Sequence, residues 1–131
     1  MPGAETPFAY AILRVVPRVE RGERLNVGVV VYCRQRDFLD LRVELDEARL
    51  AALWPQLDVR DVRASLEAIR AVTCGEPSAG ALAALPAAER FGWLVAPAST
   101  IIQPAAVHAG LTQDPRATLD HLFDTLVRTA R

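Results

Sequence analysis

Lysine is missing from this sequence altogether: all 15 basic residues among the 131 are arginine. Together with the abundance of alanine, this reads as the coding bias of a GC-rich bacterium. Cysteine is nearly as scarce. Cys33 and Cys74 stand far apart and neither belongs to a C-x-x-C pair, so no zinc cage or disulfide framework is expected and both read as buried free thiols. No apolar run, residues 27–33 included, approaches the ~20 residues of a membrane helix. No basic stretch precedes an apolar one at the start of the chain, so we expect a cytoplasmic protein. Aromatic residues total only 6%, too few for the base-stacking platforms of single-strand nucleic-acid binders. H-E-x-x-H, P-loop, G-x-G-x-x-G and G-x-S-x-G signatures are all absent. We therefore expect no metal and no cofactor, and the sequence leans away from an enzyme without naming a reaction.

What is present describes one domain over residues 1–131, since this length is typical of a single core. The composition is 51% hydrophobic and 24% charged, which excludes general disorder. The net charge of −1 conceals a gradient. Residues 1–36 carry +3, residues 37–89 carry −5 and residues 90–131 carry +1.

Residues 1–7, with Pro2, Gly3, Pro7 and no periodicity, read as a loose leader. Aromatic and β-branched residues then predict a strand over 8–16, stopped by Pro17. A second strand over 25–33 puts Leu25, Val27, Val29, Val31 and Cys33 on one face and Asn26, Gly28, Val30 and Tyr32 on the other. A third follows, in which Leu39, Leu41, Val43 and Leu45 alternate with charged residues.

The period then lengthens to that of helices. Asp46 caps a short helix ended by Pro55, and a second helix runs from Asp58 to a glycine C-cap at Gly75. Residues 75–80 read as a linker. Pro86 opens a helix with Phe91 and Leu94 inward, although residues 93–95 alternatively fit a strand. Thr100, Ile101 and Ile102 suggest a fourth strand, and residues 105–113 look irregular. Asp114 and Pro115 start a last helix, whose solvent side allows Arg116–Asp120 and Asp124–Arg128 pairs. The expected fold is α+β: an antiparallel sheet of about four strands, made of an N-terminal three-stranded meander plus one later strand. About four helices pack mainly on one of its faces.

Three groups of residues are candidates for function. The connection over 18–24 is long for a hairpin, and Arg18 and Arg21 beside Gly22 offer guanidinium forks to a phosphate, a carboxylate or an acidic partner. Against this, Glu20 and Glu23 can neutralise the same arginines within a solvated turn. Arg14 sits in an otherwise apolar strand, where an unpaired charge is costly, so it needs a partner or an opening to water. Asn26 raises the same question, and Gly28 beside it admits a close backbone approach.

His108 lies in the irregular segment downstream of Ser99, Thr100 and Gln103, where a histidine either serves chemistry or merely tethers its loop. His121 falls on the polar side of the last helix and reads as an ordinary exposed residue.

These residues carry a resemblance. Residues 10–14, Arg21-Gly22-Glu23, residues 26–30, Glu89-Arg90-Phe91, Trp93-Leu94, Ala96-Pro97, Ser99-Thr100, Gln103 and residues 107–111 together resemble the bacterial family known as domain of unknown function 3037. The resemblance covers roughly residues 8–127. It implies a genomic neighbourhood with kinases similar to the HipA toxin, and so an accessory or regulatory protein partner. The resemblance also implies a departure, since similar sequences often carry Arg where this chain has Gly92 and Ala98, which weakens any arginine-dependent site near Ser99.

Three readings follow. The first is a non-enzymatic interaction module that meets a protein, expected to be a HipA-like kinase, through Arg18, Arg21 and Glu23 and through residues 99–113. The second is a small phosphate- or nucleotide-handling enzyme built on Arg14, Asn26 and His108. Nucleic-acid binding through the basic first segment ranks last.

Overall fold

The computed structural model describes residues 4–97 and 100–128. Five strands form one antiparallel sheet: β1 (Thr6–Val15), β2 (Leu25–Cys33), β3 (Phe38–Val43), β4 (Ile102–Pro104) and β5 (His108–Thr112). Four α-helices complete the α+β architecture: α1 (Glu47–Leu53), α2 (Val59–Cys74), α3 (Ala87–Leu94) and α4 (Pro115–Leu126). The strand order is β3-β2-β1-β4, with β5 also paired to β1. The meander and the later strand β4 are the expected ones.

β1 organises the sheet because it is long enough to have two neighbours on one flank. Its first half, Thr6 to Tyr10, pairs with β5, and its last residues, Leu13 to Val15, pair with β4. β2 borders the other flank. Two expectations are corrected here. Thr6 and Pro7 belong to β1 rather than to a leader, because Thr112 and Leu111 stand opposite them. Before Ala9 that pairing is one-sided, so the donor that proline lacks is tolerated. Residues 105–113 are not wholly irregular either. β5 has little strand propensity of its own and is imposed by β1, with Gly110 lying so close under the Phe8 ring that a Cβ there would come within 2.9 Å of it.

The two faces of the sheet bury different things. On one, Ala11, Leu13, Val15 and Val30 pack against Leu50 of α1, Val62 and Leu66 of α2, and Phe91 and Leu94 of α3. On the other, Val29 and Val31 pack with Leu119 and Phe123 of α4, and Phe8, Tyr10 and Phe38 of the sheet lie partly buried against them. A bulge in β2 decides which residue goes where. Leu13 pairs with Gly28 but Arg14 pairs with Asn26, so Val27 is the extra residue. Leu25 and Val27 therefore join Val30 on the three-helix face, while Val29, Val31 and Cys33 turn to the other. A strict period of two had placed all five on one side.

Helix starts follow the sequence. Asp46, Asp58 and Asp114 each accept a backbone N–H in the first turn of α1, α2 and α4. Gly75 closes α2 in the left-handed region, at φ 69°, and Cys74 just before it is exposed, whereas Cys33 is buried as expected. Residues 93–95 continue or follow α3 and form no strand, and residues 77–84 form 3-10 turns interrupted at Gly80.

α4 is tied to β3 by Arg42–Asp120 and Arg116–Asp40 ion pairs, which replace the expected Arg116–Asp120 pair. Arg128–Asp124 does form along the helix, at 3.1 Å. Asp114 accepts from both Arg116 and Ala117 at 3.0 and 3.2 Å. Asp114→Ala should therefore cost about 1 kcal/mol, read in a urea melt as a lower midpoint at unchanged slope.

Candidate functional site

Arg14 has both things its position demands. Its Nε donates to Asn26 Oδ1 at 3.1 Å, and Asn26 Nδ2 donates to the carbonyl of Leu126 at 3.1 Å. The last carbonyls of a helix have no partner within it, and their partial negative charge favours a cation, so Asn26 caps α4 while Arg14 stands behind the cap. The bulge makes this possible, since it turns Asn26 to the α4 side opposite Arg14. The rest of the guanidinium opens into a polar cavity of about 320 Å³ that Arg24, Arg49 and Val127 also line. Burial, and then the charge of Arg24, lower the Arg14 pKa from its ordinary value. Arg49, at the start of α1, is a contributor that the sequence pattern did not single out.

Gln103 stands beside Arg14 on β4, so Asn26, Arg14 and Gln103 form one row across three strands. Its side chain turns away, however. Gln103 Nε2 donates to the Thr100 carbonyl at 3.1 Å, and Thr100 Oγ1 donates to the Ile102 carbonyl at 2.7 Å. These two residues brace their own loop. Ser99 and Ala98 lie outside the described residues.

His108 is elsewhere. It faces Tyr10 across the β1–β5 pair, and the two rings stack at 5.4 Å with the imidazole exposed. Tyr10 and Arg14 are four residues apart on β1, about 13 Å at the usual strand rise. Asn26 and His108 also occupy opposite flanks of β1, which adds about 9 Å. That separation exceeds hydrogen-bond reach even through one water, so Arg14, Asn26 and His108 do not make one catalytic centre. His121 is exposed on α4.

The hairpin connection pairs with itself. Arg18 Nε meets Glu20 at 3.2 Å, and Arg21 forks onto Glu23 with contacts of 2.7 and 3.3 Å. That hydrogen bond from Arg21 holds the Glu23 carboxyl below its usual pKa, and Trp54 adds a further one. Pro17, Arg18, Arg21 and Glu23 form one wall of an open groove of about 450 Å³, with Trp54 and Pro55 on the other. Guanidiniums already paired with neighbouring carboxylates present less net charge to an acidic partner.

A different surface stands out in the structure. Among the described residues β5 pairs only with β1, so its second edge is free. Val107 and Leu111 on and beside it are 46% and 62% exposed. Trp93 of α3 is 45% exposed, and an uncharged groove of about 290 Å³, lined by Val95, Pro97, Pro104, Ala105 and Val107, adjoins the edge. Its sequence signal was available: residues 91–113 contain no Asp, Glu, Lys or Arg.

No group of three or more metal-ligating side chains occurs among the described residues, and none of the described helices is long and apolar enough to cross a membrane. No curated protein and no solved structure matches the chain. A family model described as "Protein of unknown function (DUF3037)" matches residues 10–127, which takes in the whole sheet from Tyr10 onward, the Arg14–Asn26–α4 contact and the uncharged edge. The chain belongs to that family.

Proposed function

We propose that this chain is a non-enzymatic, cytoplasmic protein-binding module that receives an extended segment of its partner along the free edge of β5. The reading rests on that edge. Exposed sheet edges are ordinarily blunted by charges, proline or a covering element, because their unpaired N–H and C=O groups template further strands. β5 has no charge, and Val107 and Leu111 present apolar side chains beside it. Strand addition takes its affinity from main-chain hydrogen bonds and its selectivity from side-chain pockets, a role the groove beside Val95 and Pro97 can fill. The self-paired arginines of the hairpin connection argue against that loop as the principal contact. The partner to test first is the kind implied by the family resemblance, a kinase similar to HipA.

Co-purification with such a kinase tests the reading. Val107→Lys with Leu111→Lys places two charges on an exposed edge, so the melting transition should move by no more than about 0.5 kcal/mol. The complex should nevertheless be lost. Arg18→Glu with Arg21→Glu should leave it largely intact. A complex that survives the edge variant and disappears with the hairpin variant reverses the assignment.

A further inference from the structure

The polar cavity at the end of α4 is a second site of a different kind. Acidic residues outnumber basic ones in this chain, 16 to 15, so carboxylates are plentiful. Arg18, Arg21, Arg42, Arg60, Arg63, Arg70, Arg116 and Arg128 each sit on at least one. Arg14 and Arg24 do not: neither has an ion pair among the described residues, although they are close enough for the charge of Arg24 to depress the Arg14 pKa. Both line the same cavity, and Arg49 adds a third guanidinium to its wall. Arg14 and Arg24, brought together with no carboxylate on either among the described residues, raise one another's energy, and an anion relieves it.

We propose that this cavity binds a phosphate group, carried by a small phosphomonoester or pyrophosphate-bearing molecule. Asn26 holds Arg14 by Nε alone, which leaves its two terminal nitrogens without a hydrogen bond among the described residues. Two parallel N–H groups on a planar fork match the spacing of phosphate oxygens, and this is the geometry in which arginine outperforms lysine. The Leu126 carbonyl on the cavity wall already accepts from Asn26 Nδ2. Asp46 caps α1 through the Arg49 N–H, while Asp124 and Glu44 hold Arg128. A volume of about 320 Å³ exceeds what a bare ion needs and falls at the lower end of the roughly 300–1,000 Å³ of small-molecule sites. The site is independent of the β5 edge, and the two proposals fail separately.

The test is an NMR titration with inorganic phosphate and with pyrophosphate at constant ionic strength, following the arginine Nε–H signals. Saturable shifts of the Arg14 signal are expected with either anion, and none with sodium chloride. Arg24→Gln changes an exposed residue and should preserve the fold, yet weaken binding about tenfold or more, the scale of one charge-assisted hydrogen bond. Arg18→Gln, outside the cavity, should leave the affinity within a factor of about two. Phosphate shifts that do not saturate, or that are equal in the parent chain and Arg24→Gln, overturn the proposal. So does a response to chloride of the same size, which signals screening alone.

Discussion

Phe123→Ala lowers the unfolding free energy by about 3–5 kcal/mol, the largest single loss we expect from this fold. Phe123 is 1% exposed and sits in the smaller of the two cores, where its buried companions are Val29, Val31, Leu119 and Val127. That core is one helix thick, so the cavity has few neighbours free to collapse into it. The ring also carries the Arg42 guanidinium at 4.3 Å and that of Arg128 at 5.3 Å. Both cations help fasten α4 to β3, through Asp120 and Glu44, and both lose the face on which they rest. The melting temperature should fall on the order of 10 °C. Near-ultraviolet circular dichroism and the exchange rates of α4 amides would separate local undocking of the helix from global loss. A variant melting within about 1 kcal/mol of the parent would mean that the ion pairs, rather than the apolar stripe, hold α4 in place.

Much of this architecture was legible because local chemistry and tertiary context agreed. The aromatic and β-branched run of β1, the apolar alternation of β3, the aspartates before α1, α2 and α4, and the left-handed glycine after α2 all act within a few residues of themselves. Two features were not legible for the opposite reason. β5 exists because β1 is long enough to pair with it, and His108, Ala109 and Gly110 have no intrinsic pull towards a strand. The bulge at Val27 leaves no mark in a run of valines, where either face looks equally apolar. Only the register opposite Leu13 and Arg14 reveals it.

The candidate site divides along the same line. Arg14 was conspicuous because a charge in an apolar strand demands an explanation, and the sequence could state the demand without supplying the partner. The partner proved to be Asn26, 12 residues away, and beyond it the end of α4, 100 residues from Asn26. Arg49 could not be found by pattern, since its helix reaches the cavity only through folding. His108 drew attention by its chemistry and turned out to stack on Tyr10, four residues along β1 from Arg14 and on the flank away from Asn26.

Gly28→Val couples packing of the sheet to the Arg14 contact, because Gly28 adjoins the bulge. A Cβ there would lie 2.8 Å from Cγ1 of Val43 and 3.0 Å from the carbonyl oxygen of Arg42. The first is a stiff β-branched side chain and the second is backbone in the adjacent strand, so neither yields without moving β3. We expect a loss of about 3 kcal/mol or more, at the upper end of overpacking costs, with Gly28→Ala intermediate. The consequence reaches beyond stability. Relief comes most directly by sliding β2 out of its bulged register, and a shift of one residue turns Asn26 from the α4 face to the three-helix face. Arg14 would then lose its Nε acceptor and the Leu126 carbonyl its donor. The Arg14 Nε–H signal should accordingly move in Gly28→Ala even where the protein remains folded, and phosphate affinity should fall with it although no cavity arginine has changed. A Gly28→Ala chain that is destabilised but keeps the parent Arg14 signal would show that β2 absorbs the methyl group by bending β3 outward. The bulge would then serve packing alone and would not set the geometry of Arg14.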